Sequence, residues 1–465
     1  MDINRIKKVY MIGIKGVGMT MLAQFYRSKN INVTGSDISE KFMTDAVLKK
    51  NKLDVIENFD AKNIPKEADL IVYSSAYNKD NNEEVGAALI GKQKVLNYAE
   101  AVSAVFNSYY GIGVVGSHGK TTTTAWLGYV LDRSGLKPNV MVGADVPQFG
   151  GNTLINQSDY MIAELDEYQN KLQYINPKAI LLNNIDYDHP DFFPTEESYT
   201  EVFIDLVKKI PTKGFLVANI DDQVIMKIIN NNYKGRAITY GLNSVTANYC
   251  AKGIINMDGY QYFKATFNGD NLGTFKIQLI GQHNIYNALA VIATAIELNI
   301  DLLDIRKHLA NFKGTRRRMQ ILGEYNKALI IDDYAHHPTE IKSTLAGIKE
   351  TYPTKNIICV FHPHTFTRTK ALINDFAESF HDADTVIILD IYGSAREAHG
   401  GVSSDDLIKK IKEHNIKINK KQDLLYIPKL QDCEAHLRKT LTKNNLVILM
   451  GAGDIFRIGE SLIKK

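Results

Sequence analysis

The side chains best suited to chemistry in this chain follow a glycine-rich turn. The seven residues of this segment are Gly116, Ser117, His118, Gly119, Lys120, Thr121 and Thr122. Glycines allow backbone N–H groups to point at a phosphate, and the N-terminus of a following helix adds positive potential. Lys120 can reach the β- and γ-phosphates, and the Thr121 hydroxyl can bind Mg2+. The segment predicts a phosphate-binding loop for ATP, in a shortened form because Val114 stands where the usual motif has its first glycine.

Further metal ligands are predicted at the ends of two apolar runs. Glu164 ends the run 160–164, and His189 follows the run 179–184. In a parallel sheet both would lie at the edge that carries the phosphate loop. Either residue alone is more readily explained as solvated or satisfied by a local partner. Together with Thr121, however, they form a ligand set that suits Mg2+ on ATP.

A pair of asparagines predicts contact with the same ligand. Asn284 and Asn287 are spaced i, i+3 at the start of an alanine-rich helix, so both amides can reach one molecule. The alternative is that Asn284 only caps the helix.

The first part of the chain carries a second glycine turn. Its glycines are Gly13, Gly16 and Gly18. Asp37 lies about twenty residues further on, as in dinucleotide-binding folds, so a nicotinamide-dependent oxidoreductase is one alternative. The glycine spacing differs from the dinucleotide motif, and Lys15 inside the turn favours a nucleotide diphosphate instead. Another predicted strand ends at Ser74, where open α/β sheets bind ligands, although plain loop chemistry explains this serine equally well.

Polar residues also follow the predicted strands of the last part of the chain. Arg317 lies in a basic triplet at a predicted domain junction, where an arginine can meet a phosphate when domains close. Asp333 can hold a ribose hydroxyl, and His336 lies just beyond it. His364 and Arg368 follow the next apolar run. The alternative for Arg317 and Asp333 is a surface ion pair.

Length and composition indicate three domains of an ordinary soluble protein. The 465 residues favour an α/β fold divided at 1–108, 109–313 and 314–465. Each domain is expected to be a mainly parallel sheet flanked by helices, Rossmann-like in the first and last and P-loop ATPase-like in the centre. A net charge of +3 calls for no nucleic-acid or membrane partner. Three separated cysteines and the absence of a signal peptide or long apolar run predict a cytoplasmic protein.

In their order along the chain, these motifs resemble the Mur ligases. The resemblance spans essentially the whole sequence, from the first glycine turn through Gly116-x-x-Gly119-Lys120-Thr121 to the segment 332–340. Within the family, 332–340, 362–369 and 401–404 are most similar to the branch that adds L-alanine to UDP-N-acetylmuramate. Phe203 stands where later enzymes of the family carry a carbamylated lysine, which agrees with that branch.

The resemblance implies an ATP-dependent and Mg2+-dependent ligase of peptidoglycan synthesis that forms an acyl phosphate. Lys120 would contact the phosphates, Thr121 and Glu164 would bind one Mg2+, and His189 would bind a second. The remaining nucleotide contacts implied are Asn284 and Asn287 at adenine, Arg317 at the phosphates and Asp333 at the ribose. The implied substrate contacts are Gly13, Gly16, Gly18 and Ser74 for UDP and His364 and Arg368 for the carboxylate and the amino acid. Asp37 and His336 complete the substrate-binding candidates, and a monomer or weak homodimer is expected.

The chain departs from the family pattern at Tyr98 and Thr365, where arginines are common. We hypothesise that Arg396 partly compensates for the arginine that is absent at Tyr98. The nearest alternative is a ligase that attaches a preformed tripeptide to the same sugar nucleotide, but its Pro-Arg-Ser-Asn segment is replaced by Pro363-His364-Thr365. Preference among L-alanine, L-serine and glycine stays open, because one methyl or hydroxyl group changes binding by only about 1 to 3 kcal/mol.

Overall fold

A computed structural model describes residues 3–42, 44–393 and 400–464. In these residues the first sheet has five parallel strands in the order β3-β2-β1-β4-β5. The strands are β1 Lys8–Ile12, β2 Asn32–Ser36, β3 Asp54–Ile56, β4 Leu70–Tyr73 and β5 Lys94–Asn97. The helices are α1 Val17–Ser28, α2 Asp45–Lys50, α3 Glu83–Ile90 and α4 Tyr98–Phe106.

The central sheet has ten strands in the order β15-β14-β13-β12-β11-β10-β6-β9-β7-β8. Its strands are β6 Tyr110–Val115, β7 Asn139–Val146, β8 Gly151–Leu154, β9 Tyr160–Glu164, β10 Ala179–Leu182, β11 Phe215–Asn219, β12 Arg236–Gly241, β13 Tyr249–Met257, β14 Tyr260–Phe267 and β15 Asp270–Ile277. Its helices are α5 Lys120–Arg133, α6 Glu196–Lys208, α7 Gln223–Asn231, α8 Gln282–Glu297 and α9 Leu302–Asn311. The seven neighbouring strands from β13 through β6 to β7 pair in parallel, and the antiparallel pairs β7–β8, β13–β14 and β14–β15 lie at the two ends of the sheet.

In the described part of the chain the last sheet has six strands in the order β16-β17-β21-β18-β19-β20, antiparallel only between β16 and β17. Its strands are β16 Gln320–Tyr325, β17 Ala328–Asp333, β18 Asn356–Phe361, β19 Thr385–Ile388, β20 Asp423–Tyr426 and β21 Asn445–Met450. Its helices are α10 Pro338–Thr351, α11 Phe366–Ala371, α12 Ile373–Ser379, α13 Ser404–Lys417, α14 Leu430–Thr440 and α15 Phe456–Ile463. The predicted α/β fold of three mainly parallel sheets is confirmed, while the domain boundaries stay predictions.

The strands that carry the candidate site are buried on both faces. All residues of β10 are buried, as are the last five of β6. Continuous apolar runs are typical of parallel strands covered by helices on both sides, so polar residues can only follow where these strands end. Among the described residues, no helix combines the length and the apolar character needed to cross a bilayer.

The buried apolar residues form clusters, and these clusters do not correspond one to one to the three sheets. One continuous cluster joins the first sheet with one face of the central sheet. A second cluster fills the other face of the central sheet, around α5 and α8. The two faces of the last sheet have clusters of their own. The first two domains therefore share a core, whereas the C-terminal domain meets them through other contacts.

Candidate active site

The phosphate loop joins β6 to α5 through four residues. Gly116 and Gly119 have positive φ, at 128° and 78°. A Cβ on Gly119 would lie 2.7 Å from the side-chain oxygen of Asn287, so only glycine fits there. The Ser117 hydroxyl bonds the carbonyl of Asp186 at 2.7 Å and the Tyr199 hydroxyl at 2.7 Å. Ser117 therefore anchors the loop to the segment after β10 at Asp186 and to helix α6 at Tyr199.

Lys120 is held over this loop as a cation. Its Nζ donates to the carbonyl of Gly116 at 2.5 Å and lies 2.9 Å from Oε2 of Glu167. Burial alone would lower the pKa of Lys120, but the carboxylates of Glu167 and Asp166 outweigh it, and the pKa is raised. The ammonium group is therefore charged at neutral pH and lies against the carbonyls of Gly116 and Ser117 in the loop.

The predicted metal ligands meet at this edge of the sheet. The Thr121 hydroxyl donates to Oε1 of Glu164 at 2.7 Å, and the N–H of Gly143 donates to the other carboxylate oxygen at 2.7 Å. A hydroxyl beside a carboxylate offers hard oxygen ligands, which fit Mg2+.

His189 belongs to a second group that sequence reasoning recognised only in part. Ligand atoms of His189, Asp166 and Glu167 lie within 4.8 Å of one another. The two acids lie two and three residues after Glu164, the last residue of β9, and this position was their only signal in the sequence. His189 has a φ of 58°, and its ring lies 4.6 Å from that of Tyr168. This donor set also fits a divalent cation.

A cavity of about 820 Å³ opens beside the phosphate loop. Parts of the central and C-terminal domains line it together. Its lining includes His118, Gly119, Thr122, Asn183, Asp222, Tyr240, Asn284, Asn287, Arg318, Asp333 and Glu340. This volume lies within the range of sites for nucleotide-sized ligands.

The two asparagines of α8 both face the cavity. The Asn287 amide donates to the side-chain oxygen of Asn284 at 3.1 Å, and the Asn284 amide donates to the carbonyl of Ile280 at 2.7 Å. Gly281 is the N-terminal cap of α8, and no side chain caps it. Asn284 therefore does not cap this helix.

Asp333 and the basic triplet meet the cavity differently from the sequence prediction. Asp333 lines it, and burial raises the pKa of this carboxyl to about 6 although Arg318 opposes the rise. Arg317 turns away and donates to the carbonyl of Gly451 at 2.7 Å, with Nε 3.4 Å from Asp332. Its neighbour Arg318 lines the cavity instead. Of the two adjacent guanidinium groups, that of Arg318 is the one beside the cavity, and contact of Arg317 with a phosphate stays a prediction.

The three remaining C-terminal candidates gather at the junction with the central domain. Arg368 forms a two-pronged ion pair with Asp188, at 3.0 Å and 3.3 Å. The ring of His364 lies 6.2 Å from that of His336. Burial lowers the pKa of His336 to about 3 despite the nearby carboxylate of Glu340, so its imidazole is neutral. Arg396 lies outside the described residues.

The N-terminal candidates form a separate group that does not line the cavity. A Cβ on Gly13 would lie 2.8 Å from Ser74, and one on Gly18 would lie 2.5 Å from the ring of Tyr98. The turn is therefore closely covered by these two residues. Gly16 is the N-terminal cap of α1, and a Cβ there would make only ordinary contacts, 3.6 Å from the carbonyl oxygen of Gly13 and 3.8 Å from Met19.

The side chains of Asp37 and Lys15 form hydrogen bonds within the N-terminal domain that stabilise the glycine turn. Asp37 accepts the N–H of Lys15 at 2.7 Å and that of Ile38 at 2.8 Å. The Lys15 ammonium is buried and bonds the carbonyl of Ile38 and, at 2.9 Å, the carboxylate of Glu57. The expectation that Lys15 meets a diphosphate is therefore corrected, because its charge is already paired inside the domain.

Comparisons with known proteins cover the chain from end to end. Residues 8–110 match the family model "Mur ligase family, catalytic domain", residues 114–295 match "Mur ligase middle domain", and residues 317–453 match "Mur ligase, glutamate ligase domain". The UDP-N-acetylmuramate–L-alanine ligase of Desulfitobacterium hafniense is 38% identical over 98% of this chain and 99% of that protein. The enzyme of the same name from Clostridium tetani is 37% identical over 99% of this chain and 98% of that protein.

Solved structures share the fold. A UDP-N-acetylmuramate–alanine ligase from Thermotoga maritima matches with a TM-score of 0.80 at 24% identity, covering 98% of each chain. A murein peptide ligase from Psychrobacter arcticus matches with a TM-score of 0.71 at 22% identity, again covering 98% of each chain.

Proposed function

The chain belongs to the Mur ligase family, and we propose that it is the ATP-dependent ligase that joins L-alanine to the carboxylate of UDP-N-acetylmuramate. The reaction belongs to peptidoglycan synthesis and releases ADP and phosphate. Full-length similarity to enzymes named for this reaction supports the choice of substrates.

One observation carries the proposal: the phosphate loop and two metal-ligand groups converge on one sheet edge. Lys120 lies beside the Thr121–Glu164 pair and the group around His189. The adjoining cavity has a size suited to ATP. Such a site positions a triphosphate and offsets its charge, which is most of what phosphoryl transfer requires of a protein.

In the first step, an oxygen of the muramoyl carboxylate attacks the γ-phosphorus of ATP. The bond from that phosphorus to the β–γ bridging oxygen breaks, ADP leaves with the electron pair, and an acyl phosphate forms. Lys120 stabilises the charge on the transferring group, and Arg318 approaches it from the C-terminal side. When bound by Thr121 and Glu164, and by His189 with Asp166 and Glu167, Mg2+ supplies charge neutralisation of the triphosphate.

In the second step, the amine of L-alanine attacks the acyl carbon. The C–O bond to phosphate breaks, inorganic phosphate leaves, and the amine releases its proton to solvent as the amide forms. Arg368 and His364 hold the amino acid and the reacting carboxylate. Neutral His336 lies beside them. Positioning two anionic substrates against cationic side chains lets the reaction proceed without a protein nucleophile.

The remaining assignments follow the same proposal. Asn284 and Asn287 contact adenine, Asp333 contacts the ribose, and the turn around Gly13 holds the UDP part. The reaction takes place in the cytoplasm, and the three unpaired cysteines are consistent with that location. The protein is a monomer or a weak homodimer, which light scattering after size-exclusion chromatography measures directly.

The test is phosphate release from ATP with Mg2+ and UDP-N-acetylmuramate. Separate reactions contain L-alanine, L-serine, glycine, the tripeptide L-Ala-γ-D-Glu-meso-diaminopimelate or no acceptor. We expect release that depends on L-alanine and is abolished in Lys120→Met. Lys178→Met, at an exposed lysine, is the matched control and should leave the rate unchanged.

The other outcomes separate the alternatives. Release only with the tripeptide would assign the recycling reaction, and release without any acceptor would assign an ATPase. A nicotinamide-dependent oxidoreductase would leave the phosphate loop and both metal-ligand groups without a role, and it predicts binding of NAD, which equilibrium dialysis detects.

A further inference from the structure

The junction between the central and C-terminal domains crosses the phosphate loop at His118. Nε2 of this histidine lies 2.9 Å from Oδ2 of Asp186, which belongs to the central domain. Nδ1 lies 3.3 Å from Oε1 of Glu340, on helix α10 of the C-terminal domain. Carboxylates facing both ring nitrogens favour the imidazolium form, because a neutral imidazole carries a proton on only one of them.

The loop backbone is fixed at the same residue. The N–H of His118 donates to the side-chain oxygen of Asn184 at 2.7 Å, and its carbonyl accepts the Asn184 amide at 3.2 Å. The next residue is the left-handed Gly119, and the one after it is Lys120. A change in the position of the His118 ring is therefore passed directly to the part of the loop that binds phosphate.

The carboxylates on both sides of the ring have further partners across the junction. Asp186 accepts the Thr339 hydroxyl at 2.5 Å and lies 3.5 Å from Nδ1 of His337. Glu340 lies 3.7 Å from the guanidinium of Arg318. If the His118 charge were removed, Asp186 and Glu340 would lose the cation between them, and two like charges would face each other across the domain boundary.

We infer that His118 is a positioning residue whose imidazolium links docking of the C-terminal domain to the geometry of the phosphate loop. When the C-terminal domain moves away, Glu340 leaves with it, and the ring keeps only Asp186. Docking restores both contacts and fixes the loop at the moment when Arg318 and Asp333 complete the cavity. This inference rests on the proposed function for its catalytic consequence, but the docking itself does not.

The test is a double-mutant cycle between His118→Gln and Glu340→Gln. A glutamine amide can replace the Nε2 donor toward Asp186 but not the Nδ1 donor toward Glu340. Each single variant should lower kcat/KM for ATP by about 10- to 100-fold, the usual effect of one lost charged hydrogen bond. Both variants remove the same contact. The kcat/KM of the double variant should therefore lie within about threefold of that of the less active single variant.

Domain docking is measured separately by small-angle X-ray scattering. With Mg2+ and the non-hydrolysable analogue AMP-PNP, we expect a smaller radius of gyration for the wild type than for either variant. His436→Gln, on α14 and outside the cavity lining, is the matched control and should scatter like the wild type. If His118→Gln does not fold, His118→Asn, which keeps a donor only toward Glu340, is paired with Asp186→Asn in the same cycle.

Two results would overturn the inference: additive losses in the cycle, or wild-type compaction in both single variants. Neither depends on the identity of the acyl acceptor. If the wild type shows no alanine-dependent phosphate release while scattering still separates wild type from variants, the proposed function fails and the role of His118 in docking stands.

Discussion

The buried ion pair between Asp188 and Arg368 provides the most quantitative test of the domain junction. Both side chains are less than a tenth exposed. Burial would raise the pKa of Asp188, but Arg368 outweighs it and holds the pKa well below the usual range. Arg368→Met leaves this carboxylate charged, buried and without its partner. Breaking a buried pair in this way costs about 3 to 5 kcal/mol, which weakens docking roughly a hundredfold to several thousandfold.

The assay is urea unfolding followed by circular dichroism and by the fluorescence of Trp126, the single tryptophan of the chain. Arg368→Met and Asp188→Asn should each lower the midpoint of the transition that separates the domains. The double variant carries no unpaired charge, so its loss should be clearly smaller than the sum of the two single losses. Additive losses, or single losses below about 0.5 kcal/mol, would refute the reasoning. Arg316→Met is the control, because the Arg316–Asp145 pair also joins the domains but is exposed and should contribute less than about 1 kcal/mol.

Three further predictions concern a close approach, a metal ligand and a buried acid. A Cβ on Gly347 would lie 3.0 Å from the Cα of Gly281, so Gly347→Val should force α10 from α8 at a cost of about 1 to 3 kcal/mol and lower kcat, with Gly347→Ala milder. Thr121→Val should raise the Mg2+ concentration for half-maximal activity about tenfold or more, and an unchanged titration would contradict the placement of this hydroxyl beside Glu164. Burial raises the pKa of Asp332 to about 7 although Arg317 lowers it. Because the folded state then holds a proton that the unfolded state has lost, stability should fall as pH rises from about 4 to 7, by up to about 4 kcal/mol. Asp332→Asn should flatten this fall in calorimetric melting temperatures at pH 5 and pH 8, and a parallel fall in the variant would assign it to other groups.

The meeting of the glycine-rich loop 116–122 with Glu164 was predictable because few conformations satisfy the sequence of these segments. Apolar runs buried on both faces had to be parallel strands, and parallel strands bring their carboxyl ends to one edge. Lys120, Thr121 and Glu164 therefore meet as expected. The fold class was predictable for the same reason.

Side-chain direction in irregular segments was not predictable. Arg317 and Arg318 are adjacent, and either could have been assigned to a phosphate. Arg317 and Met319, the residue after the triplet, have positive φ, at 60° and 50°. The segment is therefore neither a regular helix nor a regular strand, and the sequence spacing does not tell which way each side chain points. The direction of the Lys15 side chain was equally unpredictable. A lysine in a glycine turn is suited to binding a phosphate, but here its ammonium group bonds Ile38 and Glu57 of its own domain.

The contacts across domains explain what the sequence missed and bear on which domain is expected to move. Asp188 and Glu340 received no role of their own from the sequence, because each acquires its role only from a partner more than a hundred residues away in the chain and in another domain. The first two domains share an apolar core, and separating them would expose it to water. The C-terminal domain is joined to the centre at Asp188 and Glu340 by ion pairs and hydrogen bonds, and when the domains separate, water can hydrate both partners of each contact. We therefore expect the C-terminal domain to open as a unit to admit substrates. The phosphates and carboxylates of those substrates would then compete for the cations that hold the closed state.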